Sequence, residues 1–281
     1  MSQQTVRTVA ITGAGSGIGA ATVVRLDKAD WRVFAGVHGT HDAEILDRQT
    51  SERVTVAPLD VTSPESIKEF GGLVDLELGS GGLHGLVDNA GKGVAGPLET
   101  LPIESLREQF EVNVVGQVAV TQRFLPMLRR AEKPRIVFVG SVGGLVAVGF
   151  AGAYHASKYA MEAIADAWRQ ELAPDGVEVA LVEPGPLATP IWSKAARGLD
   201  ALPENERYRE RVEAFRHRLL KMGKQNPGPE QAVELILHAL TAARPHTRYS
   251  GGITTTVLPK VRRLVPDRLF DRVSRHLTAD D

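Results

Sequence analysis

One stretch constrains the fold of this chain more than any other: Val9-Ala10-Ile11-Thr12-Gly13-Ala14-Gly15-Ser16-Gly17-Ile18-Gly19, an apolar run that breaks into glycines. Val6 to Ile11 reads as a buried strand. From Ala20 to Lys28 the chain resumes with Val23, Val24 and Leu26 at helical spacing, so the glycines form a strand-to-helix turn. Such a turn admits positive φ and lets backbone N–H groups approach a phosphate, while the helix N-terminus contributes roughly half a positive charge. The ligand implied is a dinucleotide. Closely spaced glycines also make ordinary tight turns, and the spacing Gly-x-x-x-Gly-x-Gly departs from the common fingerprint Gly-x-Gly-x-x-Gly, so the context must decide.

That context is an alternation of short apolar runs and helix-length segments. Arg32 to Val37, Val54 to Leu59, Leu83 to Val87, Arg135 to Val139 and Val177 to Val182 read as further strands. Strands at this spacing argue for βαβ units and a parallel sheet covered on both faces, an α/β doubly wound fold. Ser63-Pro64-Glu65 before Ile67, Pro102 before Ile103 and Pro229-Glu230 before Ala232 mark helix starts. With 281 residues, 43% of them hydrophobic and 24% charged, the chain is expected to fold as a single domain spanning 1–281.

Composition excludes several classes of function. A formal charge of −1 gives no global attraction for nucleic acid. The absence of cysteine removes disulfides and thiolate metal sites, and the eight histidines show no metal-binding helical pair, so no metal is expected. The first strand begins within about half a dozen residues of the N-terminus and no run approaches the ~20 apolar residues that span a bilayer, so a cytoplasmic location is expected.

Two segments depart from the βα rhythm. Residues 189 to 225 hold two helical pieces, the second with Tyr208, Val212, Phe215, Leu219 and Met222 along one stripe. Lying beyond a strand's carboxyl end, this flap can enclose an apolar substrate, or its stripe can pack only on the protein itself. The tail 257–281 carries six Lys/Arg against two Asp up to Leu277, with Val261, Leu264, Val265, Leu269, Val273 and Leu277 roughly on one face. Packing over the pocket or on a second subunit, as in a homo-oligomer, is favoured over a membrane surface because Pro259 and Pro266 divide it.

Tyr154 and Lys158 share a helical face in Tyr-His-Ala-Ser-Lys, so the ammonium can reach the phenol. At ~4 Å and an effective dielectric near 20 its charge is worth about 4 kcal/mol, roughly three pKa units, enough to bring a phenol from ~10 towards neutrality. His155 lies about 100° further round the helix and is expected to point away, with no role. Ser141 ends the strand Ile136 to Gly140, where parallel sheets gather catalytic side chains, and Asn113 sits in the helix running from Ile103. His38 and His41 follow the second strand, near where a ribose hydroxyl or 2′-phosphate would lie; neither a carboxylate nor an Arg stands at Val37 or His38 to decide between NAD and NADP.

Thr12 to Gly19, Asp60-Val61, Asn89-Ala90-Gly91, Asn113, Ser141, Tyr154, Lys158 and Pro184-Gly185 with Thr189 occur in the order and spacing of the short-chain dehydrogenase/reductase family, which the chain resembles over about residues 6 to 192. The resemblance implies a Rossmann-type oxidoreductase with a nicotinamide cofactor, NAD or NADP with NAD slightly preferred. It implies that Tyr154 is the general acid/base, that Ser141 hydrogen-bonds the reacting oxygen, that Lys158 lowers the Tyr154 pKa and holds the ribose, and that Asn113 holds a relay water. Thr12, Gly13, Ser16, Gly17, Ile18 and Gly19 would cradle the pyrophosphate and His38 would lie by the ribose. Asp60 and Val61 would meet the adenine, Asn89, Ala90 and Gly91 would line the cleft, and Pro184, Gly185 and Thr189 would hold the nicotinamide end. Asp88 departs from the family, many of whose members carry asparagine there.

Val33 to Gly36, Leu59 to Thr62, Val182-Glu183-Pro184-Gly185 and Thr247-Arg248-Tyr249 resemble the branch of retinol, 17β-hydroxysteroid and 3-hydroxybutyrate dehydrogenases. That resemblance implies a secondary or allylic alcohol or carbonyl on an apolar, steroid-, retinoid- or lipid-like skeleton. The competing readings are a dinucleotide-binding regulatory protein without turnover, against which the complete Asn113, Ser141, Tyr154 and Lys158 set speaks, and a nucleotide-sugar epimerase, which needs a larger C-terminal domain.

Overall fold

Every apolar run singled out above becomes a strand of one parallel sheet. The computed structural model describes residues 6–276; residues 1–5 and 277–281, with Leu277 of the tail stripe, lie outside the described residues, as does the Val273 side chain. The strands are β1 (Thr8–Ile11), β2 (Arg32–Val37), β3 (Val54–Pro58), β4 (Gly85–Asp88), β5 (Arg135–Val139), β6 (Glu178–Pro184) and β7 (Arg248–Gly251). Their order is β3-β2-β1-β4-β5-β6-β7, with every pairing parallel. From β1 the chain builds outward to β3 and then crosses back to β4, so the strand order reverses between β1 and β4. A crevice opens there beyond the carboxyl ends of the strands.

Both faces of the sheet are buried, and the period of two assigns residues to them. Val9 and Ile11 pack with Val33, Ala35, Val87 and Val137 on one face, while Ala10 joins Phe34, Leu86, Ile136 and Phe138 on the other. The seventh strand escaped the sequence reading as a strand because its four residues, Arg-Tyr-Ser-Gly, bury only Tyr249. Its place is set by register, with Leu181 opposite Arg248 and Glu183 opposite Ser250.

Helix α1 (Gly17–Asp27) follows the glycine turn, α2 (Thr40–Asp47) follows β2, and α3 (Pro64–Leu78) starts where expected. Ser63 Oγ accepts the N–H of Ser66 at 3.2 Å and Pro64 opens the first turn, a cap worth about 1 kcal/mol. The helix read as continuous from Ile103 is not. It consists of α4 (Ile103–Phe110), a π-helical turn (Glu111–Val115) and α5 (Gly116–Leu128). The wide turn carries Asn113, which is fully buried, and interruptions of this kind occur frequently at functional sites.

Helix α6 (Gly152–Glu171) carries Tyr154 and Lys158. After β6 come α7 (Ile191–Gly198), α8 (Arg209–Gln225) and α9 (Glu230–Thr241). Residues of α7 and α8, with Leu199 just after α7 and Ala95, make a small core of their own: Ala195, Ala196, Phe215 and Leu219. The tail forms α10 (Ile253–Leu264) and α11 (Asp267–His276). Phe270 is buried there, with the Arg262 guanidinium 4.8 Å from its ring centroid, whereas Val257, Val261, Leu264 and Leu269 stay exposed. No helix among the described residues is long and apolar enough to cross a membrane.

Candidate active site

The glycine turn is stapled to the end of β4. Thr12 Oγ1 accepts the N–H groups of Asn89 and Ala90 at 3.0 and 2.9 Å. Asn89 Nδ2 donates to the carbonyls of Thr12 and Gly13, both at 3.0 Å. Gly13 has φ 61°, and a Cβ there would lie 2.7 Å from Ala90 Cα; at Gly19 it would lie 2.3 Å from the Gly13 carbonyl oxygen. No side chain larger than hydrogen fits either place. Ser16 makes no side-chain cap and the first turn of α1 holds no acid, so the side chains leave the free amides at its start unopposed. On the far side stands Thr189, whose side chain a Cβ at Gly17 would approach to 3.3 Å. Open amides at a helix N-terminus and glycine walls that let the backbone approach closely are what a pyrophosphate requires, so these residues fit a dinucleotide.

The rim places the remaining predicted residues. His38 Nε2 lies 3.6 Å from Asp60 Oδ2, and Asp60 Oδ1 accepts the N–H and hydroxyl of Thr62 at 2.9 and 2.7 Å. These hydrogen bonds, the one from the Thr62 N–H first, hold the Asp60 carboxyl below the usual range against its partial burial. Val61 is buried, and Pro184 and Gly185 close β6 beside Thr255. The sequence reading missed Asp42, which stands in the first turn of α2. A Cβ at Gly15 would lie 2.8 Å from Asp42 Cβ and 2.8 Å from Val37 Cγ1, so a carboxylate does stand at the end of β2, supplied from the following helix rather than from the strand.

Ser141, Tyr154 and Lys158 come together beyond β5. Ser141 Oγ accepts the Gly143 N–H at 3.0 Å, and its own O–H faces the Tyr154 phenol in the free protein, where a ligand oxygen could take its place. Lys158 is 5% exposed and donates to the Val139 carbonyl at 2.8 Å; its Nζ lies 6.0 Å from the Tyr154 ring centroid. The expected lowering of the Tyr154 pKa is not found in the free protein. Burial of the phenol raises its pKa, although Tyr154 as a whole residue is only half-buried, and the Ser141 hydroxyl opposes the rise. The Lys158 ammonium is engaged with the strand end instead of the phenol oxygen, and burial pushes its own pKa down to about 8.

The Asn113 side chain is bonded within the protein. Its Oδ1 accepts the Lys92 N–H at 2.8 Å, and its Nδ2 donates to the Lys92 carbonyl and to Ser157 Oγ at 3.1 and 3.0 Å. Both amide hydrogens are thus committed to the protein, which leaves a relay water only one carboxamide lone pair or the main chain. Ser157 in turn donates to the Tyr154 carbonyl at 2.7 Å. With Gln117, whose Nε2 donates to the Ala90 carbonyl at 2.8 Å, these side chains lock the segment after β4 onto α5 and α6. His155 does not simply point away. Its Nδ1 is 2.9 Å from the Gly143 carbonyl and its ring stands 5.8 Å from that of Tyr154, so it braces the turn that holds Ser141.

An open groove of about 320 Å³ lies at the start of α6, reaching Gly152 two residues before Tyr154, and is lined chiefly by Pro97, Leu98, Val148, Phe150, Tyr208 and Arg211. Tyr208 Oη donates to Glu99 Oε2 at 2.6 Å, fixing the start of α8 across the groove. Phe215 is buried with its ring 5.7 Å from that of Phe150. The flap stripe therefore divides: Phe215 and Leu219 pack on the protein, and Tyr208 lines the groove. Among the described residues no cluster of ligating side chains could hold a metal ion.

Comparison with known proteins agrees with this geometry. The family model of the short chain dehydrogenases matches residues 7–200. An uncharacterized oxidoreductase of Escherichia coli, YbbO, is 34% identical over 268 residues, covering 95% of this chain and 93% of that protein. Mouse retinol dehydrogenase 5 is 32% identical over 94% of this chain and 86% of its own length. A short-chain dehydrogenase from Streptomyces avermitilis superposes with a TM-score of 0.78 at 26% identity, covering 97% of this chain and 98% of that one. The fold, the glycine turn and the Ser141, Tyr154 and Lys158 cluster thus have one explanation: the chain belongs to the short-chain dehydrogenases and is an NAD(P)-dependent oxidoreductase.

Proposed function

We propose that the protein interconverts a secondary or allylic alcohol and its carbonyl on an apolar, steroid-, retinoid- or lipid-like skeleton, with NAD modestly preferred. The observation that carries this reading is the groove lined by Phe150 and Gly152, four and two residues before Tyr154, whose walls are mostly hydrocarbon. Such a wall rewards apolar bulk at roughly 25 cal/mol per Å² buried. Names of relatives support the same class: mouse retinol dehydrogenase 5 and bovine 17-beta-hydroxysteroid dehydrogenase type 6, the latter 37% identical over 87% of this chain.

The nicotinamide, when bound, supplies the acceptor or donor of hydride. The chain's own residues handle the oxygen. Ser141 O–H holds the reacting oxygen in place, Tyr154 Oη takes up or delivers its proton, and Lys158 provides a fixed positive charge beneath the phenol. Asp42 supports NAD, because a carboxylate accepts ribose hydroxyls and repels a 2′-phosphate. Ile103 and Val115, exposed on α4 and the π turn, support a homo-oligomer, which sedimentation measures.

The test is a panel of steroids, retinoids, hydroxy acids and simple alcohols with NAD and NADP, followed at the nicotinamide absorbance. Highest kcat/KM for the bulky apolar alcohols is expected. Equal or better turnover of small hydroxy acids refutes the substrate class, and a preference for NADP above about a hundredfold, nearly 3 kcal/mol, refutes the cofactor choice.

A further inference from the structure

Two motifs far apart in the chain, Val182-Glu183-Pro184-Gly185 and Thr247-Arg248-Tyr249, meet directly behind the catalytic helix. Arg248 on β7 is surrounded by three carboxyl groups. Its Nε lies 3.1 Å from Glu162 Oε2 and 3.3 Å from Glu183 Oε1, and its Nη2 lies 2.8 Å from Asp166 Oδ1. Asp166 has a second cation, Arg169, at 2.6 Å, whereas among the described residues the ion pairs of Glu162 and Glu183 within 4 Å are with Arg248 alone. Glu183 is 2% exposed and the Glu162 side chain 12%. Ser250 Oγ donates to Glu183 Oε2 at 3.3 Å.

Glu162 Oε1 and Glu183 Oε1 are buried and accept no hydrogen bond among the described residues, although both carboxyls crowd onto Arg248 Nε, at 3.1 and 3.3 Å. Arg248 and Arg169 bring two positive charges to the three carboxyls of Asp166, Glu162 and Glu183, so one proton balances the buried pair. The pair is also close to the chemistry. Glu162 follows Lys158 by one helical turn, and a Cβ at Gly144, in the turn after Ser141, would lie 3.1 Å from Glu162 Oε1 and 2.9 Å from the Lys158 carbonyl.

We infer that Glu162 and Glu183 share one proton, and that this pair is a positioning device for Lys158, holding it as an ammonium more strongly once the shared proton is released. The inference rests on dinucleotide use by this site and not on the substrate class. Burial first, and then the Glu183 charge, push the Glu162 pKa up to about 7; Glu183 is raised too, chiefly by burial. For Lys158 burial lowers the pKa and the Glu162 charge opposes it. Among the described residues, the other charged and polar groups facing the pair are Asp166 with Arg169 and Tyr159 on α6, Arg248 and Ser250 on β7, and Arg262 on α10 beside Tyr159. As pH rises through neutrality the pair gains a negative charge beyond what Arg248 neutralises, and the Lys158 ammonium, one helical turn away, is a cation that charge favours.

Glu162→Gln, which keeps the shape and removes the charge, is compared with wild type and Glu162→Asp. The readouts are the pH dependence of the dinucleotide dissociation constant, measured by fluorescence or calorimetry, and the pH profile of kcat. In Glu162→Gln the alkaline loss of dinucleotide affinity should move down by about one pH unit, and the limb of kcat near neutrality should disappear; Glu162→Asp should retain both. A role confined to holding β7 against α6 lowers the melting temperature of Glu162→Gln but leaves both profiles superimposed on wild type, and that result overturns the inference. Infrared spectroscopy needs no variant of the pair: in Asp88→Asn, which removes another buried acid, one protonated-carboxyl band should bleach near neutral pH, and its absence is equally decisive against the inference. Failure to turn over any alcohol would strike the proposed substrate class while leaving the binding and infrared readouts intact.

Discussion

Replacing Asp88 by Asn should stabilise the protein increasingly as pH rises. Asp88 closes β4, is completely buried, and accepts one hydrogen bond, from Thr121 Oγ1 at 2.8 Å. Its Oδ1 has no partner. Burial pushes its pKa from 3.8 up to about 7, with the Thr121 bond opposing. Below both values the folded and unfolded chains each hold the proton. Between them the unfolded chain has released a proton that the folded chain keeps, so stability falls with rising pH, and above about 7 the loss is complete. A displacement of that size amounts to ~4 kcal/mol, and relaxation or water entry around the carboxylate brings the expected loss to about 2–4 kcal/mol. Asn keeps the acceptor for Thr121 and never ionises. In urea unfolding followed by tryptophan fluorescence, its advantage should grow from about 1 kcal/mol near pH 4.5 to about 2–4 kcal/mol near pH 8. Glu162 and Glu183 titrate in both proteins and cancel in the difference. Parallel curves of stability against pH for the two proteins would show that Asp88 does not hold its proton in the folded state.

Three further outcomes are expected. Tyr154→Phe should fold, bind the dinucleotide and lose about 10²- to 10⁴-fold in kcat, while Lys158→Ala should also weaken dinucleotide affinity; near-normal turnover by Tyr154→Phe refutes its role. Because burial raises the phenol in the free protein, the tyrosinate absorbance lost in Tyr154→Phe should titrate above the ordinary tyrosine range without ligand and shift down when oxidised dinucleotide is added. Phe215→Ala removes a buried ring packed on Phe150 and should raise KM for a bulky substrate well beyond that for a small one, with faster proteolysis within residues 191–225; equal KM changes count against a groove shaped by the flap. Asn113→Ala strips hydrogen bonds from Lys92 and Ser157 and should cost about 2–3 kcal/mol of stability, read as a lower melting temperature even in the absence of ligand.

How much was legible beforehand follows the range of the forces involved. Strands β1 to β6 and the glycine turn could be read because burial on both faces demands unbroken apolar runs, and because a strand-to-helix turn backed at 2.7 Å by Ala90 admits only glycine. The Tyr154 and Lys158 pair was visible because helical periodicity is local. Strand β7 was not recognised as one, since a four-residue polar segment takes its conformation from the edge of β6. The π turn at Asn113 was equally hidden: the partner of its buried side chain is the backbone of Lys92, twenty-one residues upstream.

By itself, then, the amino-acid order determined the doubly wound sheet, the phosphate turn and the candidate acid/base, because each depends on residues within one or two turns of chain. Tertiary structure alone decided the charges on them. Lys158 is drawn to the Val139 carbonyl, Asp42 reaches the strand end from a helix, and Glu162, Glu183 and Arg248 converge from α6, β6 and β7. The reason is physical: whether a group keeps its proton depends on desolvation and on charges a few ångströms away, and in a parallel sheet those neighbours arrive from distant parts of the chain.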